Sequence, residues 1–119
     1  MNKVILLGRL TRDVNVRKLP SGNAVSEFSI AYNRIYRKGE DTKQEVHYFD
    51  LIAYRDLSER VKKGDLVLIE GRLSQERWED KEGKSKSRVR IVVESIRRVR
   101  AREEGLEEER VDGTSEIDF

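Results

Sequence analysis

The stretch EVHYFDLIAY, residues 45–54, predicts a β-strand with two different faces. In an extended chain, successive side chains point to opposite sides of the sheet. We interpret the first side as facing the core; it consists of Phe49, Leu51 and Ala53. The second side consists of Tyr48, Asp50, Ile52 and Tyr54. Tyrosine rings on that side either pack in part against the sheet or stack against flat ligands, and the two interpretations lead to different functions.

Length and composition indicate one domain with a small core. The chain has 119 residues, of which 36% are hydrophobic and 40% are charged, and a domain of this size buries a single core. The absence of cysteine excludes disulfides and thiolate metal sites. No apolar run approaches the roughly 20 residues that cross a bilayer, so we expect a cytoplasmic protein.

The charge is distributed unevenly along the chain. Residues 103–119 contain eight acidic residues and one arginine, a charge of −7, and no periodic apolar pattern. Residues 1–102 contain twenty-four basic and fifteen acidic residues, a charge of +9. The sequence therefore predicts a basic folded domain over residues 1–102 and a disordered acidic tail over residues 103–119.

Apolar periodicity and turn residues predict five strands and one helix. The strands are expected at residues 3–10, 24–36, 45–54, 66–78 and 85–99. Gly71 interrupts the fourth strand, where we expect a bend or bulge. A helix is predicted over residues 56–63, because Asp56 is a suitable N-cap, Leu57 and Val61 lie one turn apart, and Gly64 follows.

One short helix between the third and fourth of five strands is the order of the OB-fold. We therefore predict an all-β protein, a five-stranded Greek-key barrel with that helix inserted, followed by the acidic tail. An SH3-like barrel is the alternative, and it is disfavoured because it has no inserted helix of two turns.

Four aromatic residues lie on, or at the ends of, strands with polar flanks. They are Tyr36, Tyr48, Tyr54 and Trp78. Rings among cations suit single-stranded nucleic acid, because each base stacked on a ring contributes about 1–3 kcal/mol whatever its identity. In the alternative interpretation the tyrosines only cover the rim of the barrel. We assign Phe28 and Phe49 to the core.

Basic residues recur on most elements rather than in one block. They include Arg9, Arg12, Arg17, Arg34, Arg37, Lys38, Lys62, Lys63, Arg72, Arg77, Lys84, Lys86, Arg88 and Arg90. Scattered charges usually form a solvated surface. Because these cations occur together with the rings and with a charge of +9, we interpret them as a path for a phosphate backbone.

The residues give little support for catalysis. His47 is the only histidine, and we expect it on the core-facing side of its strand. The sequence contains no Cys/His metal cluster and no glycine-rich phosphate loop. We therefore predict a binding protein that is not an enzyme and needs neither metal nor cofactor.

Several blocks of sequence, in order, resemble the bacterial single-stranded DNA-binding protein family, SSB. The blocks are NKVILLGRLTRD (2–13), VR (16–17), PSG (20–22), AYNR (31–34), KGD (63–65), IEGRL (69–73) and RWED (77–80). The resemblance covers residues 1 to about 100. It implies an OB-fold that binds single-stranded DNA without regard to sequence.

The resemblance also implies roles for particular residues. The family's base-stacking rings correspond to Tyr36, Tyr48, Tyr54 and Trp78, and its phosphate-contacting cations to Arg34, Lys62, Lys63, Arg72 and Arg77. To these we add Lys84 and Lys86; together with Arg88 and Arg90 they alternate on one face of a strand, facing the hairpin arm that carries Trp78. The family assembles as a homotetramer through its opening strand, which is Val4–Leu10 here.

The end of the tail suggests a docking peptide. Glu116, Ile117, Asp118 and Phe119 combine acidic and apolar side chains with a terminal carboxylate, although most acidic runs only increase solubility. Family tails end in Ile-Pro-Phe and bind replication, recombination and repair proteins; here Asp118 replaces the proline. The resemblance thus implies a cytoplasmic, nucleoid-associated protein. A primosome accessory protein, an OB-fold nuclease and an RNA-binding protein are the alternatives.

Overall fold

Six β-strands make up most of residues 1–102, the part of the chain that the computed structural model describes. They are β1 (Val4–Leu10), β2 (Asn15–Lys18), β3 (Ala24–Lys38), β4 (Asp41–Ala53), β5 (Leu66–Glu79) and β6 (Ser85–Arg100). Five of them match the strands predicted from the sequence, and β2 is a short extra strand. Within residues 1–102 no helix is long and apolar enough to span a membrane.

The five long strands close into a barrel. The sheet order is β1-β5-β6-β4-β3-β2, and a further pairing of β1 with β3 closes the ring. All pairings are antiparallel except that of β4 with β6, where Leu51 pairs with Ile91 and Ile52 with Val92. This is the strand order of the OB-fold that the sequence predicts, with β2 added beside the first residues of β3.

The barrel interior is filled by alternate residues of these strands and by Leu57 and Val61 from the segment after β4. The core consists of Leu10, Phe28, Ile30, Leu51, Ala53, Leu57, Val61, Val67, Ile69, Ile91, Val93 and Ile96. A smaller cluster of Val25, Ile52 and Val92 lies outside the barrel, beneath Leu19. Gly71 lies at a register shift between β5 and β6, which confirms the predicted bulge; a Cβ atom there would collide with the carbonyl oxygen of Val92.

The predicted helix over residues 56–63 is wrong. Leu57 and Val61 are buried as expected, but the segment consists of turns. Carboxylates from elsewhere bind the N–H groups that would continue a helix: Lys62 N–H donates to Asp65 Oδ2 at 2.8 Å, and Lys63 N–H to Asp13 Oδ1 at 2.7 Å. Since these bonds replace the helical ones, the segment ends after a single turn.

Two long hairpins extend beyond the barrel. β3 and β4 stay paired from Ser26 and Ala53 to Lys38 and Asp41, and β5 and β6 are likewise paired to the tip of their hairpin. Because β4 and β6 pair only at two positions, the hairpins separate beyond that point. We call them the β3–β4 arm (residues 29–50) and the β5–β6 arm (residues 73–90).

The separation of the arms explains two wrong predictions. Phe49 and His47 were expected to face the core, but the barrel ends at Leu51 and both residues lie on the β3–β4 arm. Phe49 is 37% exposed. The His47 ring stacks between Phe49, at 6.5 Å between centroids, and Tyr32, at 6.2 Å.

Candidate nucleic-acid interface

Three aromatic rings share one face of the sheet. Ile52 and Val92, which are paired, lie outside the barrel, and we call the side of the sheet that carries them the outer face. Tyr48 lies an even number of positions from Ile52 on β4, so it is on this face. Tyr54 directly follows β4 and lies near Arg17, which donates to Glu27 on the same face. Trp78 pairs with Lys86, which lies an even number of positions from Val92 on β6.

The three rings are strongly exposed. Tyr48 is 69% exposed, Tyr54 60% and Trp78 46%. Burying an aromatic ring is favourable, and packed aromatic residues bury most of their surface. The exposure therefore disfavours the interpretation in which these rings only cover the rim of the barrel.

Tyr36 lies on the opposite face of the β3–β4 arm. The β3–β4 register is continuous, and Tyr36 has the same parity as the core residues Phe28 and Ile30. The guanidinium of Arg34 lies over its ring, 5.1 Å from the centroid, which is a cation–π distance. The structure thus brings together three of the four predicted stacking residues, and the fourth faces the other way.

An ion-pair network on the outer face connects the two hairpins. Arg90, only 6% exposed, donates to both carboxylate oxygens of Glu76, at 2.6 and 2.9 Å, and to Glu27 at 2.6 Å. Arg17 donates to Glu27 at 2.8 Å. Arg88 donates to Glu76 at 3.0 Å.

The network also affects the pKa values of two carboxyl groups and the position of the Trp78 ring. The hydrogen bonds from Arg17 and Arg90 lower the pKa of Glu27, and the hydrogen bond from Arg90 lowers that of Glu76. The Arg88 guanidinium lies 5.8 Å from the centroid of Trp78. A fixed cation below the ring restrains Trp78, so the network holds part of the proposed stacking surface in place.

The predicted phosphate-binding cations fall into three places. Arg72 and Lys86 lie on the outer face, in exposed pairs with Glu94 at 3.4 Å and Asp80 at 3.9 Å. Exposed ion pairs of this kind contribute little, so phosphates can compete for both side chains.

Arg34 and Arg77 lie on the opposite face of the arms, where Arg34 pairs with Glu45 at 3.3 Å and Arg77 donates to Gln75 at 3.3 Å. Arg77 also lines an open cleft of about 540 Å³ at the arm tip, together with Trp78 and Lys86.

The remaining predicted residues lie elsewhere. Lys84 is in the turn of the β5–β6 arm, where its N–H donates to Asp80 Oδ1 at 2.9 Å. Lys62 and Lys63 are in the loop that follows β4, next to the start of β2 rather than to the arms. Glu116, Ile117, Asp118 and Phe119 lie outside the described residues.

Sequence reasoning missed the structural role of Arg90 and the partners Glu27 and Glu76. Arg90 was grouped with the backbone-binding cations, but it is buried and holds two carboxylates. The alternation along β6 placed it on the correct face; the distant partner Glu27 leaves no local signal. Within residues 1–102 no group of three or more His, Cys, Asp or Glu side chains is placed to hold a metal ion.

Comparison with known proteins identifies the family. The model of the Single-strand binding protein family matches residues 1–99. The single-stranded DNA-binding protein of Aquifex aeolicus is 51% identical over 102 residues, which are 82% of this chain and 69% of that protein. The single-stranded DNA-binding protein of Deinococcus radiodurans is 45% identical over 100 residues, 81% of this chain but 33% of that protein.

A solved structure agrees with the fold. The Plasmodium falciparum SSB in complex with ssDNA superposes with a TM-score of 0.74 at 23% identity, covering 83% of this chain and 95% of that chain. At this identity the likeness shows the fold, which is the OB-fold barrel expected from the sequence. The family match spans the whole described barrel and both arms, and the sequence blocks noted above lie within it. The chain belongs to the single-strand binding protein family.

Proposed function

We propose that this protein binds single-stranded DNA on its outer face, without regard to base sequence, and has no catalytic activity. The observation that carries the proposal is the common orientation of Tyr48, Tyr54 and Trp78, three exposed rings on one charged face. Membership of the family and the names of its relatives support the same ligand.

Stacking provides the part of the affinity that does not depend on sequence. Every base has a flat π-face, and stacking on an exposed ring contributes about 1–3 kcal/mol per base. Tyr48 is on β4, Tyr54 directly follows that strand, and Trp78 is on the other arm, so bound bases lie across the fork between the arms. Tyr36 stacks a further base where the DNA passes around the β3–β4 arm, beside Arg34.

Cations provide a second part of the affinity, and this part depends on the salt concentration. Arg72 and Lys86 flank the rings on the outer face, and Arg34 and Arg77 continue the path on the far side of the arms. Lys84 at the arm tip and the loop residues Lys62 and Lys63 extend it. Each phosphate neutralised by a cation releases a counterion, so affinity decreases as salt increases.

The assembly that we propose is a homotetramer formed through β1 (Val4–Leu10). Ile5, the second residue of this strand, is 64% exposed. β1 pairs with β3 only at residues 9 and 10, so within the described residues the edge of residues 4–8 on that side has no strand partner. An exposed apolar side chain on an open edge favours association with another copy.

The acidic segment is proposed to recruit other proteins. Residues 103–119 carry a charge of −7 and end in Glu116, Ile117, Asp118 and Phe119. We assign this end to docking on replication, recombination and repair proteins at the nucleoid, in the cytoplasm. While no DNA is bound, the acidic segment competes for the basic surface.

The fluorescence of Trp78 tests the proposal directly, because it is the only tryptophan. Titration of the full chain with a thymidine oligomer at low salt is expected to quench this fluorescence to a saturable limit, since stacking places a base against the indole. A double-stranded oligomer of the same length is the control, and it should quench far less. Unchanged fluorescence despite binding would rule out stacking on Trp78.

A further inference from the structure

A polar cleft lies at the fork between the arms, on the outer face. Its volume is about 260 Å³, slightly below the roughly 300–1,000 Å³ of sites for drug-sized ligands, so it suits one flat heterocycle. It is lined by Arg12, Asn15, Glu27, Phe28, Ser29, Asp50, Leu51, Arg88 and Arg90. None of these residues is one of the proposed stacking rings.

The charged side chains of the cleft fall into two groups. Glu27, Arg88 and Arg90 are engaged in the ion-pair network, which fixes them. Within residues 1–102, by contrast, neither the guanidinium of Arg12 nor the carboxylate of Asp50 has a hydrogen-bond or ion-pair partner. The cleft therefore offers an unused guanidinium donor and an unused carboxylate acceptor beside a rigid wall.

Of the four bases, guanine matches this pair best. Its O6 and N7 accept two parallel hydrogen bonds from an arginine, and its N1–H and 2-amino group donate two to a carboxylate. Thymine offers one donor, N3–H, and adenine and cytosine offer one amino group each, so none of these bonds a carboxylate twice along one edge.

We propose that the cleft is a guanine-binding subsite that reads one base by Asp50 and Arg12 while the neighbouring bases stack on the rings. The inference rests on the proposed function, because DNA must first be held on the outer face. It adds a local base preference to binding that is otherwise tolerant of sequence.

The test compares thymidine oligomers that differ in one central nucleotide. The full chain is titrated with fluorescently labelled oligomers that are all dT or carry a single dG, and anisotropy reports the affinity. A single dG avoids self-association, and sliding along the oligomer lets it reach the cleft. We expect the dG oligomer to bind at least about five-fold more tightly, the low end for one bidentate pair.

Base analogues test the contribution of each edge of guanine separately, without changing the protein. Deoxyinosine lacks the 2-amino group that would bond Asp50, and 7-deaza-deoxyguanosine lacks the N7 that would bond Arg12. Each is expected to lose most of the preference. Retention of the full preference by both analogues would overturn the assignment.

Asp50→Asn is the matching protein variant. We expect its dG-to-dT affinity ratio to fall to about 1, while its affinity for dT increases because a negative charge near the phosphates is removed. Asp41→Asn, at the tip of the β3–β4 arm, is the control and should keep the ratio of the unmodified chain. An unchanged ratio in Asp50→Asn would overturn the subsite.

The possible failures can be distinguished. If dG and dT oligomers bind the unmodified chain with equal affinity, the guanine subsite is wrong and the proposed function stands. If neither oligomer binds, the proposed function fails as well.

Discussion

At the scale of single residues, Arg90 illustrates why a buried cation is not free to bind DNA. Its guanidinium holds Glu76 on the adjacent strand and Glu27, which is 63 positions away in sequence. Alternation along β6 predicted its face correctly. Its burial depends on strands that are distant in sequence, so no local pattern could show it.

Replacing Arg90 by methionine is expected to lower the free energy of unfolding by about 2 kcal/mol, because two carboxylates lose their shared donor. This loss of stability is smaller than that from breaking a fully buried ion pair, because both carboxylates are partly exposed to solvent. Urea unfolding at constant protein concentration measures it. Arg72→Met, which breaks the exposed pair with Glu94, is the control and should change stability by less than about 0.5 kcal/mol.

The same variant has an expected pH dependence. The pKa values of Glu27 and Glu76 lie below their usual 4.5 in the folded chain. The stability from this network is therefore fully present above about pH 4.5 and is lost as the pH falls through the lowered values. Arg90→Met should remove part of that loss on acidification, mainly through Glu76, because Arg17 still donates to Glu27 in the variant. If its stability declines in acid as steeply as that of the unmodified chain, Arg90 does not control these carboxylates.

At the scale of elements, alternation and turn residues were enough to predict five strands in their correct order, because both signals are local. The segment 56–63 was predicted as a helix from equally local signals and is not one. Asp13 and Asp65 bind its N–H groups from outside. The exposure of Phe49 was missed for a similar reason: the end of the barrel is set by where β4 separates from β6.

Ser26 is the residue that fixes the start of this segment. It is fully buried, donates to the carbonyl of Arg55 at 2.7 Å and accepts from the N–H of Leu57 at 2.9 Å. Ser26→Ala leaves both groups unpaired and should lower the free energy of unfolding by about 2 kcal/mol.

Chemical denaturation of Ser26→Ala measures this change in the free energy of unfolding. Ser95→Ala, at an exposed position, is the control and should change stability by less than about 0.5 kcal/mol. An equal effect of the two substitutions would mean that the Ser26 hydroxyl does not anchor the loop.

At the scale of the whole molecule, charge and shape act together. Residues 1–102 carry a charge of +9 and residues 103–119 a charge of −7, while two arms extend the barrel to about 50 Å in its longest dimension. The rings and cations of the candidate site were proposed from the sequence. The sequence did not predict that Tyr36 lies on the opposite face from the other three rings. The face on which a ring lies depends on where each arm leaves the barrel.

The affinity of a Tyr54→Ala, Trp78→Ala double variant for a thymidine oligomer tests the central claim most directly. Loss of two stacked bases, at about 1–3 kcal/mol each, should weaken binding roughly thirty-fold or more. The loss should persist as salt is raised, because stacking is not screened as phosphate contacts are. Binding as tight as that of the unmodified chain at every salt concentration would contradict the claim that these exposed rings hold the DNA.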